Sequence, residues 1–226
     1  MVLRLLTVVR LIRGNIIDCY VEADDDSSGG DCYIELSVSF RFCTCMNTII
    51  NGTNRAAIGI SVVSDNNNYG SLIANNTIFN TSDAIVFENG TGSGLAQVIV
   101  TQDNLIDSAT NGINNARATN TSSVVGHFVN NNAMRNISSA QYSNIQDEFI
   151  KNKITLTADP FIDKVDFELN DAEGGGALCK FLGAGPRQYD PTLLGTTFAN
   201  SRETGRRNFS SIGAVTPKGA ESSHVF

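Results

Sequence analysis

Three stretches decide the fold: SLIANNTIFN at residues 71–80, IVTQDNLIDS at 99–108 and HFVNNNAMRN at 127–136. Laid under one another they share an asparagine, Asn76, Asn104 and Asn132, followed two residues later by Ile78, Ile106 and Met134. Leu72, Val100 and Phe128 stand four residues before it, and the step from 76 to 104 equals the step from 104 to 132. Toward the N-terminus the same signature occurs at Asn47, with Cys43 and Ile49, and at Asn15, with Leu11 and Ile17, at slightly wider steps. The spacing predicts a ladder of Asn15, Asn47, Asn76, Asn104 and Asn132 flanked by two core columns. One column is Leu11, Cys43, Leu72, Val100 and Phe128; the other is Ile17, Ile49, Ile78, Ile106 and Met134.

Self-similarity at a fixed period marks a repeat architecture, in which each unit buries its apolar face only against the next. These units are rich in Gly and Asn, carry short β-branched runs and lack the 3.6-residue periodicity of helical repeats. Strands are expected at Ile58-Ile60-Val62, at Ile85-Phe87 and around Ile113, so each coil would hold two or three. Parallel strands lie about 4.8 Å apart. Equivalent Asn amides can then hydrogen-bond along the stack, and Asn also tolerates a left-handed turn. The class predicted is all-β, a β-solenoid with coils of about 28 residues.

Composition agrees with a turn-rich chain. Of 226 residues, 41% are hydrophobic and 17% charged, with 20 Gly, 4 Pro and no Trp, which excludes a helical bundle and a highly charged disordered chain. The formal charge is −7 and the bases are scattered, so nucleic acid is not an expected partner. No apolar run approaches the roughly 18 residues of a membrane helix, and no membrane partner is expected. Residues 1–14 are read as mature structure, because Arg10 interrupts their apolar run.

The repeating units resemble rungs of the right-handed parallel β-helix, the pectate-lyase-like superfamily, which includes phage tailspikes and other virion proteins. Ala158-Asp159-Pro160-Phe161, then Asp166-Phe167-Glu168-Leu169, then Ser211-Ile212-Gly213-Ala214-Val215 are similar to the D-P-x-F, D-F-x-L and I-G-A-V elements that close many such proteins. The resemblance implies β-helix coils over residues 1–157 and an irregular closing and capping segment with a tail over 158–226. Residues 174–208 depart from the pattern by running long and irregular.

Enzymes of the superfamily carry clustered aspartates, a Gly-His-Gly or an Arg-x-Lys. Here Gly126-His127-Phe128 lacks the second Gly, and Asp65, Asp83, Glu88, Asp103 and Asp107 share no obvious repeat position from which paired carboxylates could converge. No catalytic residue is therefore assigned and no cofactor is expected. His127 falls at the place of Arg10, Phe42, Ser71 and Ile99, which favours an outward or packing role.

Asp24, Asp26, Ser28 and Gly29 with Glu35 meet the spacing of a calcium loop, but Glu35 sits in the strand-like alternation Ile34-Leu36-Val38-Phe40-Phe42, so a solvated acidic turn is preferred. Five cysteines, Cys19, Cys32, Cys43, Cys45 and Cys179, show no zinc-ligand spacing. Buried thiols are expected, with Cys19 and Cys32 able to close a loop. Seven Asn-x-Ser/Thr sequons, at Asn51, Asn75, Asn80, Asn89, Asn120, Asn136 and Asn208, carry little weight in a chain this rich in those residues. Arg202, Arg206 and Arg207 form a small basic cluster and Phe226 ends the chain; these are candidate docking residues.

The expected function is that of a non-enzymatic virion component, a capsid decoration or cement protein or a short spike. It would bind other virion proteins and assemble as a homo-oligomer such as a trimer, in a virion built in the host cytoplasm. Two alternatives compete. A polysaccharide-binding or depolymerising tailspike-like or secreted enzyme would work outside the cell and needs converging acids. An adhesin needs flat Thr ladders, and Leu105 breaks the column begun by Thr48 and Thr77.

Overall fold

The protein was analysed as a computed structural model that describes residues 2–4, 9–11, 15–17, 20–22, 32–37, 43–52, 57–64, 70–89, 99–116, 127–164 and 167–180. Among the described residues there is no α-helix, only strands and two single turns of 3-10 helix, Asp147–Phe149 and Gly176–Leu178. The strands form an eleven-stranded and a six-stranded sheet. Every strand pair is parallel.

The six-stranded sheet stacks Asn15–Ile17, Cys43–Met46, Ser71–Ala74, Ile99–Gln102, His127–Asn130 and Ile150–Lys151. The larger sheet has two limbs joined by the long strands Thr77–Asn89 and Leu105–Asn115. Its first limb runs through Tyr20–Glu22, Ile49–Asn51, the starts of the long strands, Ala133–Arg135 and Ile154–Thr155. The second limb runs through Cys32–Ser37, Ile58–Ser64, the ends of the long strands and Ala140–Ser143. Each unit therefore lays down three runs of strand before the next begins on top of it.

Register carries the repeat. Ile50, Ile78, Ile106 and Met134 pair in one column, one member per unit, and all are 0% exposed. Leu72, Val100 and Phe128 also pair directly, as their spacing predicts. They do not face inward, however: Phe128 is 58% exposed, while the buried column one residue along is Cys45, Ile73, Thr101, Val129 and Ile150. Side chains alternate across a strand, so a shift of one residue moves a whole column to the other face. The apolar criterion misled because the outward residues are as apolar as the inward ones, and Thr101 occupies a core place.

The N-terminal copies are also out of step. Cys43 pairs with Ser71 and Asn15 with Thr44, so neither lies in the column assigned to it. Ile49 pairs with Thr77, and its neighbour Ile50 with Ile78. Ile17 pairs with Met46, and Leu11 pairs with Leu36 in the other limb. The separation from Thr48 to Asn76 is 28, the same as from Asn76 to Asn104, so the longer step counted from Asn47 was the sign that the matching asparagine there is one residue out of phase; Asn15 in turn pairs with Thr44 rather than aligning with Asn47.

The last unit is the shortest of the regular stack. Thr101 pairs forward with Val129, but Val129 pairs with Ile150 and Ala133 with Ile154, a visibly smaller step along the chain. Ile137, Tyr142 and Ile145 pack against the main core there. Burial pushes the Tyr142 phenol up to about 12. Residues 156–164 and 167–180 then leave the stack of strands.

Candidate functional site: the corner ladder and the strap cluster

Each turn from the six-stranded sheet into the first limb uses two residues. The first takes a left-handed conformation: Asn47, Asn75, Asp103, Asn131 and Asn152 have φ between 50° and 56°. Asn and Asp populate this region far more readily than other side-chain-bearing residues. Asn75 donates Nδ2 to Asn47 Oδ1 at 3.3 Å, and Asn131 to Asp103 Oδ1 at 2.6 Å.

The second residue points in. Asn76, Asn104 and Asn132 are completely buried. Asn76 gives both its backbone N–H and its Nδ2 to Asn104 Oδ1, at 3.1 and 3.0 Å, and Asn104 gives the same pair to Asn132 at 3.1 and 2.9 Å. Each amide also donates back to a carbonyl of the preceding unit: Asn76 to Cys45, Asn104 to Ile73 and Asn132 to Thr101. Thr48, not Asn47, occupies the equivalent place one unit earlier, and its N–H donates to Asn76 Oδ1 at 3.0 Å. The ladder of the sequence is thus real for its last three members, while Asn47 belongs to the outer turn column and Asn15 lies on a strand.

Three residues past the ladder, Phe79, Asp107 and Arg135 form an outward column. Residues 156–164 and 167–180 cross this side of the sheet as a strap. Leu156, Phe161, Phe167, Leu169 and Cys179 are buried with Ile49, Leu105 and Ala133, and Tyr20, Phe79 and Ile154 pack alongside. Phe167 meets Phe161 edge-on with centroids 5.1 Å apart and Phe79 at 6.1 Å. Its φ is 54°, a left-handed conformation that costs a bulky residue about 1–3 kcal/mol, so the packing must offset that strain.

Charge fastens the strap. Asp107 is 1% exposed, and its Oδ2 receives Arg135 Nη1 at 3.1 Å and Lys164 Nζ at 3.3 Å. Asp159 Oδ2 receives the same two cations, at 3.1 and 3.5 Å. Asp107 Oδ1 accepts from Ser108 Oγ and Asn136 Nδ2, both at 3.1 Å, so the buried carboxylate is satisfied on both oxygens. Lys164 also lies 4.3 Å from the centre of the Phe79 ring.

The closing motif has a local job. In Asp159-Pro160-Phe161, Asp159 Oδ1 accepts from the Phe161 N–H at 3.0 Å while its other oxygen meets the cations. Asn170 donates Nδ2 to the carbonyls of Asp159 and Phe161 and accepts from the N–H groups of Ala172 and Gly176. Gly176 is required there: a Cβ would stand 2.4 Å from the Asn170 carbonyl oxygen and 2.6 Å from that of Pro160. Burial between the strap and the first limb pushes the Cys179 thiol up to about 12.

Of the residues singled out from sequence, Glu35 is half-buried on a strand, whereas Asp24, Asp26 and Ser28 lie outside the described residues, as do Cys19, Arg202, Arg206, Arg207 and Phe226. No group of three His, Cys, Asp or Glu that could hold a metal occurs among the described residues. His127 pairs through its backbone with Ile99, in register with Ser71. The strap cluster was missed, although Asp107 and Arg135, opposite charges one repeat apart, were a legible signal. Nothing local announces Lys164, which reaches Asp107 across 57 positions.

No protein-family model matches the chain, and neither a curated protein nor a solved structure matches it.

Proposed function

We propose that the chain is a right-handed parallel β-helix serving as a non-enzymatic structural component of a virion, a capsid decoration or cement protein or a short spike, that binds other virion proteins as a homo-oligomer. Two things support the reading. One is the resemblance carried by the repeating units and by Asp159-Pro160-Phe161 and Phe167-Glu168-Leu169, whose Phe161, Phe167 and Leu169 are all buried in the strap. The other, which carries it, is how the charges are used. Asp107, Asp159, Arg135 and Lys164 bond to one another and fasten a strap, which is the use a binding scaffold makes of charge and not the one a general acid and base require.

Two measurements test this. Imaging the native particle that carries the gene should place the protein on the capsid or tail at stoichiometric copy number. Incubating the purified protein with capsular and pectic polysaccharides should release no sugar; release by a free monomer would replace this reading with the depolymerase one.

A further inference from the structure

We infer that the last unit is a stop built into the fold, which closes the C-terminal end of the stack against a further layer of strands. The need for one follows from the topology. Every strand pair is parallel. Among the described residues, Val2–Arg4, Val9–Leu11 and Asn15–Ile17 at one end of the stack pair on one side only. So do Ala140–Ser143, Ile150–Lys151 and Ile154–Thr155 at the other. The last unit of one copy would therefore present to the first unit of another the same parallel hydrogen-bonding edge that each unit presents to the next. Such a head-to-tail contact does not close on itself, and unchecked it grows into fibres. The role is independent of what the protein binds.

Three columns change character in this unit. In the ladder column, Thr48, Asn76, Asn104 and Asn132 are followed by Lys153: Asn152 repeats the left-handed φ of Asn131, 50° against 56°, and Ile154 pairs with Ala133. Lys153 has no side-chain oxygen, so Asn132 cannot give it what Asn76 gives to Asn104 Oδ1. Its Nζ turns outward to Asp147 Oδ1 at 2.6 Å, with the side chain 46% exposed. In the core column, Ile50, Ile78, Ile106 and Met134 are followed by Thr155, which pairs with Met134 and is exposed. Gly112 is turned toward Met134, since a Cβ there would stand 2.5 Å from the Met134 Sδ, and Gln141 follows Gly112 in register. Gln141 Nε2 donates to Thr155 Oγ1 at 3.0 Å, a polar bridge laid over the end of the core. In the outward column of the six-stranded sheet, Gln102 and Asn130 are followed by exposed Lys151. The strands Ile150–Lys151 and Ile154–Thr155 are two residues each, the shortest described. Very short edge strands and lysines make a sheet edge refuse another strand, and a terminal repeat needs a polar outer face. A layer added here would have to desolvate the Lys153 ammonium and the Thr155–Gln141 bridge.

The test removes the stop from the full chain. In Lys153→Asn the new amide should extend the ladder by accepting from Asn132, whereas Lys153→Gln loses the same ion pair with Asp147 and is a methylene too long for the place. Lys153→Asn should therefore melt about 2–4 °C above Lys153→Gln by circular dichroism. Equal melting would overturn the assignment of Lys153 to the ladder column. The triple variant Lys151→Val, Lys153→Asn, Thr155→Val should give particles whose mass keeps rising with concentration in sedimentation velocity and which are fibres by electron microscopy. The wild type should instead hold a fixed mass over the same series, whether as a monomer or as a closed oligomer. Lys153→Asn by itself leaves the core column untouched and should begin the same growth at higher concentration, which decides the matter if the triple variant does not fold. A wild type that grows without limit would overturn the inference, as would folded variants that keep the wild-type mass throughout.

Discussion

The corner ladder and the strap cluster are both buried polar networks, and they are built on opposite principles. In the ladder, Asn76, Asn104 and Asn132 repeat one geometry, the amide of Asn76 bonding to Asn104 and that of Asn104 to Asn132. In the strap, Asp107, Arg135, Asp159 and Lys164 occur once each and join segments up to 57 positions apart. A repeated contact is reinforced by its neighbours above and below; a single contact depends on its own partners alone. The ladder should therefore be part of the cooperative core, and the strap a unit that can open locally.

The sharpest way to break this contrast is Ile106→Asp. Ile106 is completely buried between Ile78 and Met134, and an unpaired carboxylate there should cost about 4 kcal/mol or more and unfold ladder and strap together. Thermal melting followed by circular dichroism checks it; an unchanged transition would mean that the column does not hold the stack together.

Asn104→Ala comes next. It leaves the Asn76 N–H and Nδ2 without their shared acceptor and removes the side-chain donor to the Ile73 carbonyl, all in the interior. The expected loss is about 2–4 kcal/mol in denaturant titration, again as a single transition.

Asp107→Ala strikes the strap. Breaking a buried ion pair costs about 3–5 kcal/mol, but the partner side chains of Arg135 and Lys164 are 21% and 35% exposed and keep Asp159, so about 1–2 kcal/mol is expected. The effect should be local. Alkylation mapped by mass spectrometry should reach Cys179, buried on the inner side of the strap, while Cys43 and Cys45 in the core stay protected.

The smallest effect is one of pH on the wild type. The Cys179 thiol ordinarily ionises near 9.0 and is pushed up to about 12 in the fold. Below 9.0 it is protonated whether the strap is closed or open. Between 9.0 and about 12 the open strap releases the proton and the closed one keeps it, so strap stability falls as pH rises through that window. Alkylation of Cys179, corrected for thiolate fraction, should accelerate over that range. A flat corrected rate would show that the strap does not open ahead of the core.

How much of this was legible varies along the chain. Between residues 71 and 134 the units keep one length, and spacing alone put Leu72 beside Val100 and Phe128, and Ile78 beside Ile106 and Met134. At the preceding unit the separation is still 28, from Thr48 to Asn76, but the equivalent residue is not an asparagine, so the same rule chose its neighbour Asn47. The inside and outside of a strand were not legible where both faces are apolar, as at Leu72 and Ile73. The sequence singled out Asp159-Pro160-Phe161 but not its task, because the task of Asp159 is defined by Arg135 and Lys164, which no motif contains.

By itself the sequence determined the period, the parallel stacking it entails and the use of asparagine at the corners, because a repeat distance is a property of the chain and an amide at that distance has its own kind to bond with. Only the tertiary structure decided which apolar column faces the core and what covers the first limb. Those choices depend on a one-residue phase and on a contact between distant segments, and neither leaves a local trace in composition or spacing.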